Sequence, residues 1–142
     1  IHSNFNMNQK QMTQRIIKAM QNRYATILAH PTGRILLTRE PYNVDIISVI
    51  DAAAEFNVDL EINASPSRLD LDWQNCKYAK DKKVKMFINP DAHSIESLYD
   101  YKYGVNVARK GWLEKKDIVN TWKTDEVIAY FSKKKAIKSS TV

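Results

Sequence analysis

The stretch "VDLEINASPSRLDLDWQNCKYAKDKKVKMFIN", residues 58–89, decides the fold. Its opening, "VDLEINA", alternates apolar and polar side chains as a strand does, and its close, "KVKMFIN", is a second short apolar run. Between them "SPSRLDLD" carries turn residues, and Trp73, Cys76 and Ala79 then recur at helical spacing. A strand, a helix and a second strand in that order predict two parallel strands joined by a crossover helix.

The same alternation extends outward. Upstream, Met12, Ile16, Ala19 and Met20 predict an amphipathic helix over about residues 8–22, and "YATILAH", residues 24–30, a short buried strand. A loop bounded by Pro31 and Pro41 follows, and Asn43 is expected to cap a helix in which Ile47, Ile50 and Ala54 share a face. Downstream, the chain from Ser94 reads as helical with breaks at Gly104 and Gly111, and it finishes in "DEVIAYFSKKK" and a short tail. Strands alternating with helices predict an α/β fold whose parallel sheet is covered on both faces.

At 142 residues, 44% of them hydrophobic, the chain suits one domain with a real core. The net charge of +6 is uneven, with one cluster at Lys80, Lys82, Lys83 and Lys85 and another at Lys133, Lys134, Lys135 and Lys138. Such runs form a solvated face or meet a polyanion. Cys76 is the only cysteine, which excludes an intrachain disulfide and fits a reducing, cytoplasmic setting. No apolar run approaches the roughly 20 residues of a membrane span, and the first residues lack the order of a secretion signal, so a soluble protein is expected.

The three histidines share one kind of position. His2, His30 and His93 each sit at or beside a strand terminus, and Asp91 lies two residues before His93 in "INPDAHS". In parallel α/β folds functional groups gather at the carboxyl edge of the sheet, so these four side chains are expected to converge there. Singly, each has a plain structural reading: a hydrogen-bonded core imidazole for His30, a chain end for His2, and a turn or helix cap for Asp91. Their common placement favours a metal, because neutral imidazole and carboxylate drawn from separate strands suit zinc, manganese or iron in hydrolytic centres. Arg34 and Arg68, in the loops after successive strands, are candidates to grip phosphate oxygens, with a surface ion pair as the alternative. Glu61 and Asn63 alternate along one strand face, and Asn63 is placed to touch substrate or to support a ligand, or else to make an internal hydrogen bond. Trp73, Trp112 and Trp122 read as packing residues rather than base-stacking platforms.

The blocks "IHSNF", "ILAHPTGR", "REPYNVD", "VIDAAAE", "LEINASPSRLDLD", "INPDAHS" and "YGVNVARKGWLEKKDIVNTW" resemble the polymerase and histidinol phosphatase (PHP) domain of bacterial family X DNA polymerases. The resemblance runs from His2 to about Trp122. It implies part of a distorted (β/α)7 TIM-like barrel holding up to three manganese or zinc ions, with DNA as partner. It also implies a metal-dependent 3'-5' exonuclease or phosphoesterase activity in DNA repair. By the same resemblance His2 and His30 match a pair that binds one ion, Asp91 a ligand of a second and His93 a ligand of a third. Arg34, Asn63 and Arg68 remain the substrate-binding candidates, and no catalytic residue is assigned. Pro90 departs from the threonine more usual in that family, and it fixes its own φ just before Asp91.

The resemblance also implies that residues 1–142 are the C-terminal half of the domain, without the first barrel strands and without polymerase fingers and palm. A half barrel would expose edge strands and apolar side chains such as Ile27, Leu60, Ile62 and Phe87, so a homodimer is expected unless the C-terminal helical segment closes the open side. Two other functions stay open: a histidinol-phosphate-type small-molecule phosphatase, and a non-catalytic basic module that holds DNA.

Overall fold

Three parallel strands in the order β1-β2-β3 form the centre of the computed structural model, which describes residues 1–139, with side chains described to residue 137. The elements are α1 (Gln9–Met20), β1 (Ile27–Leu28), α2 (Ile46–Glu55), β2 (Asp59–Asn63), α3 (Trp73–Asp81), β3 (Met86–Asn89), α4 (Tyr101–Lys110) and α5 (Thr124–Ser139). Single 3₁₀ turns occupy Glu96–Asp100, Lys115–Asp117 and Val119–Thr121. The α/β class and the parallel β2-α3-β3 unit expected from residues 58–89 are therefore present, in the register Leu60↔Met86 to Asn63↔Asn89.

The central strand β2 is buried along its whole length. Leu60 and Ile62 join Val49, Ile50, Ala53, Cys76, Ala79 and Met86 in the core, to which α1 adds Met12, Ile16 and Met20. These two strand residues are thus not exposed, contrary to the half-barrel expectation. Phe87 is also covered, its ring stacked on Phe131 of α5 with centroids 5.8 Å apart, while Ile27 on the edge strand stays 36% exposed.

Several expected details change. Strand β1 has only two residues, because Tyr24 and Ala25 donate their N–H groups to the Asn22 side chain and carbonyl in a turn. The cap of α2 is Asp45, not Asn43: its carboxylate accepts the Ser48 N–H at 3.1 Å and hydroxyl at 2.7 Å. The buried face of α2 is Val49, Ile50, Ala52 and Ala53, with Ile47 and Ala54 exposed. Trp112, expected to pack, is 70% exposed, with the Lys77 ammonium 5.6 Å from its ring. Most of the first lysine cluster is tied along the surface, Lys80 to Glu114 and Asp117, Lys82 to Asp51 and Lys85 to the Lys116 carbonyl. In the second cluster Lys134 is buried, and the Lys138 side chain lies outside the described residues.

Gly104 does not break its helix but lies inside α4, which it seats on the sheet. A Cβ there would stand 2.6 Å from Ile88 Cγ2 and 2.7 Å from Ala64 Cβ. Gly104→Ala should therefore lower stability by about 1–3 kcal/mol through overpacking, outweighing the gain of up to about 1 kcal/mol in helix propensity. A urea midpoint that falls with an unchanged m-value would record it. Gly111 does end α4, as expected.

Candidate metal centre and phosphate site

Because the strands are parallel, the loops after β1, β2 and β3 leave from one edge of the sheet, and β2 organises that edge. Glu61 and Asn63, two residues apart, point to the same side. The buried Glu61 carboxylate accepts the His30 backbone N–H at 2.7 Å on Oε2 and the Asn89 amide at 2.9 Å on Oε1. The buried Asn63 donates Nδ2 to Asp91 Oδ2 at 3.0 Å and accepts the Ser65 N–H at 3.1 Å. One strand thus ties together the starts of all three loops. Glu61→Gln puts an amide N–H against donors, so it should cost about 1–3 kcal/mol and loosen the His30 loop, measurable as lost amide-exchange protection at His30.

His30 is buried at 9% exposure in a backbone conformation with φ +32°. Its loop is pinned by Asp70, whose carboxylate accepts the N–H groups of Thr32 and Gly33, and by the Tyr42 hydroxyl, which donates to the Pro31 carbonyl. The His2 ring stands edge-on to the His30 ring, with centroids 5.2 Å apart. Among the described residues, His30 Nδ1 is buried with no hydrogen-bond partner. Burial, reinforced by the Ile1 amino group and Arg68 and opposed by Glu61, holds the His30 pKa below its ordinary value. A buried polar nitrogen without a partner costs free energy, and a neutral imidazole is the form that offers a metal a lone pair.

Asp91, at φ +54°, does not cap the following turn, where the Ser94 hydroxyl accepts the Ser97 N–H. Its carboxylate instead receives the Asn63 amide and the Arg68 guanidinium, with Nε 3.1 Å from Oδ2. Partial burial pushes the Asp91 carboxyl up, but Asn63, Arg68 and the imidazoles of His30 and His93 outweigh it and hold the pKa below the usual range. Asp91 is therefore an anion at neutral pH. Its stabilising contribution is complete above the ordinary carboxylate pKa and is lost as pH falls through the depressed folded value. His93 is exposed, its Nδ1 2.7 Å from the Asp91 carbonyl oxygen.

The structure accordingly places His2 beside His30, and it places Asn63 and Arg68 each against the Asp91 carboxylate, with His30 and His93 in the field of Asp91. Arg34 is turned inward: its guanidinium donates to the carbonyls of Arg68 and Leu69, while Arg68 donates back to the Arg34 carbonyl. Among the described residues no three side chains of His, Cys, Asp or Glu stand close enough to hold a metal ion together. The organising roles of Glu61, Asn89 and Asp70 were not read from sequence. The alternation that put Glu61 beside Asn63 was visible, but nothing local marks a carboxylate that serves backbone N–H groups far along the chain.

The molecule is thus a parallel α/β unit with imidazoles, a carboxylate and guanidinium groups gathered at the carboxyl edge of its sheet. No family profile matches the chain. It is 41% identical over 133 residues to the DNA polymerase/3'-5' exonuclease PolX of Bacillus subtilis (strain 168), a match covering 94% of this chain and 23% of that protein. It is also 30% identical over 115 residues to a probable phosphatase of Thermoanaerobacter sp. (strain X514) and, equally, to one of Thermoanaerobacter pseudethanolicus, covering 77% of the chain and 44% of each relative. The chain spans about a quarter of the polymerase's length and under half of the phosphatases'. The resemblance to a bacterial family X DNA polymerase carried by the sequence blocks is thereby borne out, and this chain is related to that family along nearly its whole length.

Proposed function

We propose that this chain is part of a PHP-type barrel that hydrolyses phosphodiesters at DNA 3' ends in a cytoplasmic family X polymerase. The observation that carries the reading is His30: a buried imidazole nitrogen without a hydrogen bond, next to a second imidazole, on a sheet edge whose sequence matches a polymerase/exonuclease. Those donors fit a divalent ion such as manganese or zinc, with His2 and His30 as one ligand pair and Asp91 and His93 as ligands nearby. Since three such side chains do not converge among the described residues, the remaining ligands would come from solvent, substrate or further protein.

When bound, divalent metal supplies an activated water and neutralises charge on phosphoryl oxygens. The protein's own groups prepare the site. Glu61 fixes the His30 backbone, Asn63 and Arg68 orient the Asp91 carboxylate, and Arg68 brings a guanidinium to where a phosphate would lie. Arg34 acts one step back, by bracing the carbonyls on either side of that loop.

The phosphatase relatives favour a second reading, a phosphatase acting on a small phosphate monoester. Manganese-supplemented hydrolysis of a 3'-labelled oligonucleotide, compared with that of a simple phosphate monoester, separates the two. The expected result is chelator-sensitive release of the 3'-terminal nucleotide with little monoester turnover. Preference for the monoester would replace the exonuclease reading with the phosphatase one, and DNA binding with hydrolysis of neither substrate would leave a holding module.

A further inference from the structure

Beside the candidate site lies a cavity of about 340 Å³ lined in part by Arg34, Leu69, Trp73, Tyr103, Val107 and Lys110. Arg34 and Leu69 come from the loops that follow β1 and β2, the loops that also carry His30 and Arg68, so the cavity adjoins the sheet edge. Its far wall is one face of α4, where Tyr103, Val107 and Lys110 recur at helical spacing. Two aromatic rings face it, and each already carries a lysine ammonium: Lys110 Nζ is 5.1 Å from the Trp73 ring centroid and Lys102 Nζ 5.1 Å from that of Tyr103. Tyr103 lines the cavity while 38% exposed to solvent. The one carboxylate on the wall, Asp72, caps α3 by accepting the N–H and side-chain amide of Asn75 and keeps its charge, but Arg34 and Lys110 outnumber it, so the net charge of the wall is positive.

We infer that this cavity is a nucleotide subsite, in which a base of single-stranded DNA stacks on Tyr103 and Trp73 while Lys110 and Lys102 meet the adjoining phosphates. The chemistry of the wall selects that class of ligand. A volume of about 340 Å³ is at the small end for ligand pockets and suits one nucleotide rather than a folded partner. Aromatic faces take bases of any identity, and mobile ammonium groups follow a phosphate backbone without reading sequence. A lysine that leaves the ring for a phosphate frees the ring face for the base, so one motion of Lys110 or Lys102 serves both contacts. The subsite rests on the DNA-end reading above and assigns it a second contact, away from the candidate metal ligands.

The test uses single-stranded oligonucleotides with 2-aminopurine near the 3' end, titrated into the protein with EDTA present so that nothing is hydrolysed. Fluorescence quenching is expected on binding. Tyr103→Ala should weaken binding about 5- to 100-fold, the loss of one stacked base. Lys110→Glu, an exposed change that spares the core, should weaken binding and lower the salt slope by at least about one. Tyr24→Ala, an exposed aromatic elsewhere, serves as the control. Binding by both pocket variants at wild-type strength overturns the subsite, even if manganese-dependent release of 3' nucleotides is robust. Weakened binding in both supports it, even if no hydrolysis is found when metal is restored, a result that would count against the DNA-end reading alone. Equal competition by a phosphate monoester without a base would also overturn it.

Discussion

Lys134→Ala should be the most destabilising single substitution in this chain outside the apolar core, lowering the unfolding free energy by about 3–5 kcal/mol. Lys134 projects from α5 with 2% exposure, and its Nζ lies 2.5 Å from Asp59 Oδ1, itself 3% exposed at the first residue of β2. The Tyr130 hydroxyl donates to the same oxygen at 2.7 Å, and Lys134 reaches back to that hydroxyl at 3.2 Å. Burial pulls the Lys134 pKa down and the Asp59 carboxylate pushes it up, with burial the stronger, so the ammonium depends on its partner. Removing the lysine leaves Asp59 buried without that counter-charge, which is the costly outcome. Replacing both members by apolar residues of similar volume, as in Asp59→Leu with Lys134→Met, should recover most of the loss. Thermal or urea unfolding of the two single variants and the double variant measures the coupling. Single variants that unfold like the wild type would mean that α5 is not held on the sheet by this pair.

The second large effect concerns chemistry. His30→Ala and Asp91→Ala should each reduce manganese-dependent release of 3' nucleotides by more than about 100-fold in the protein that carries this chain, with DNA binding in EDTA kept within a few-fold. Loss of a side chain that supports a ligand, as in Asn63→Ala, should be milder, about 10- to 100-fold, and partly restored by raising the metal concentration. The readout is initial rate against manganese concentration. His30→Ala at wild-type rate would remove His30 from the site, whatever the unpartnered nitrogen in the structure signifies.

The features that were legible in the sequence are those set by local pattern. Residues 58–89 announced a parallel β-α-β unit because Leu60, Ile62 and the Trp73, Cys76, Ala79 triplet carry the two periods within one stretch. The placement of His30 past the run of residues 24–30 and of Asp91 past that unit was legible in the same way, and the structure brings their surroundings to one edge. What escaped was set by distant partners. Lys134 read as one cation in a solvated tail, and only the approach of Asp59, across 75 residues, makes it a core residue. Gly104 read as a helix break because glycine is a poor helix former, whereas close contact with Ala64 and Ile88 gives it a packing role. Arg34 read as a guanidinium for phosphate or for a surface ion pair, and the carbonyls it serves belong to a loop whose path no local rule predicts. Asn43 and Asp45 offer the same capping chemistry two residues apart, so the choice was decided by which side chain stands three residues before an N–H it can reach.

A parallel sheet with helices outside it is consistent with part of a barrel, while α5 covers Phe87 and Asp59 without any second copy. A sedimentation mass of one chain would fit that cover, and a two-fold mass would favour pairing of the edge strand β1.

The central claim, that the imidazoles at the carboxyl edge hold a divalent metal, is tested most directly by an anomalous difference map from crystals grown with manganese. The account predicts a peak within about 2.0–2.4 Å of an imidazole nitrogen of His30, shared with His2, and absent in His30→Ala crystals. A protein that degrades DNA 3' ends with manganese while its peaks lie away from both histidines would contradict it.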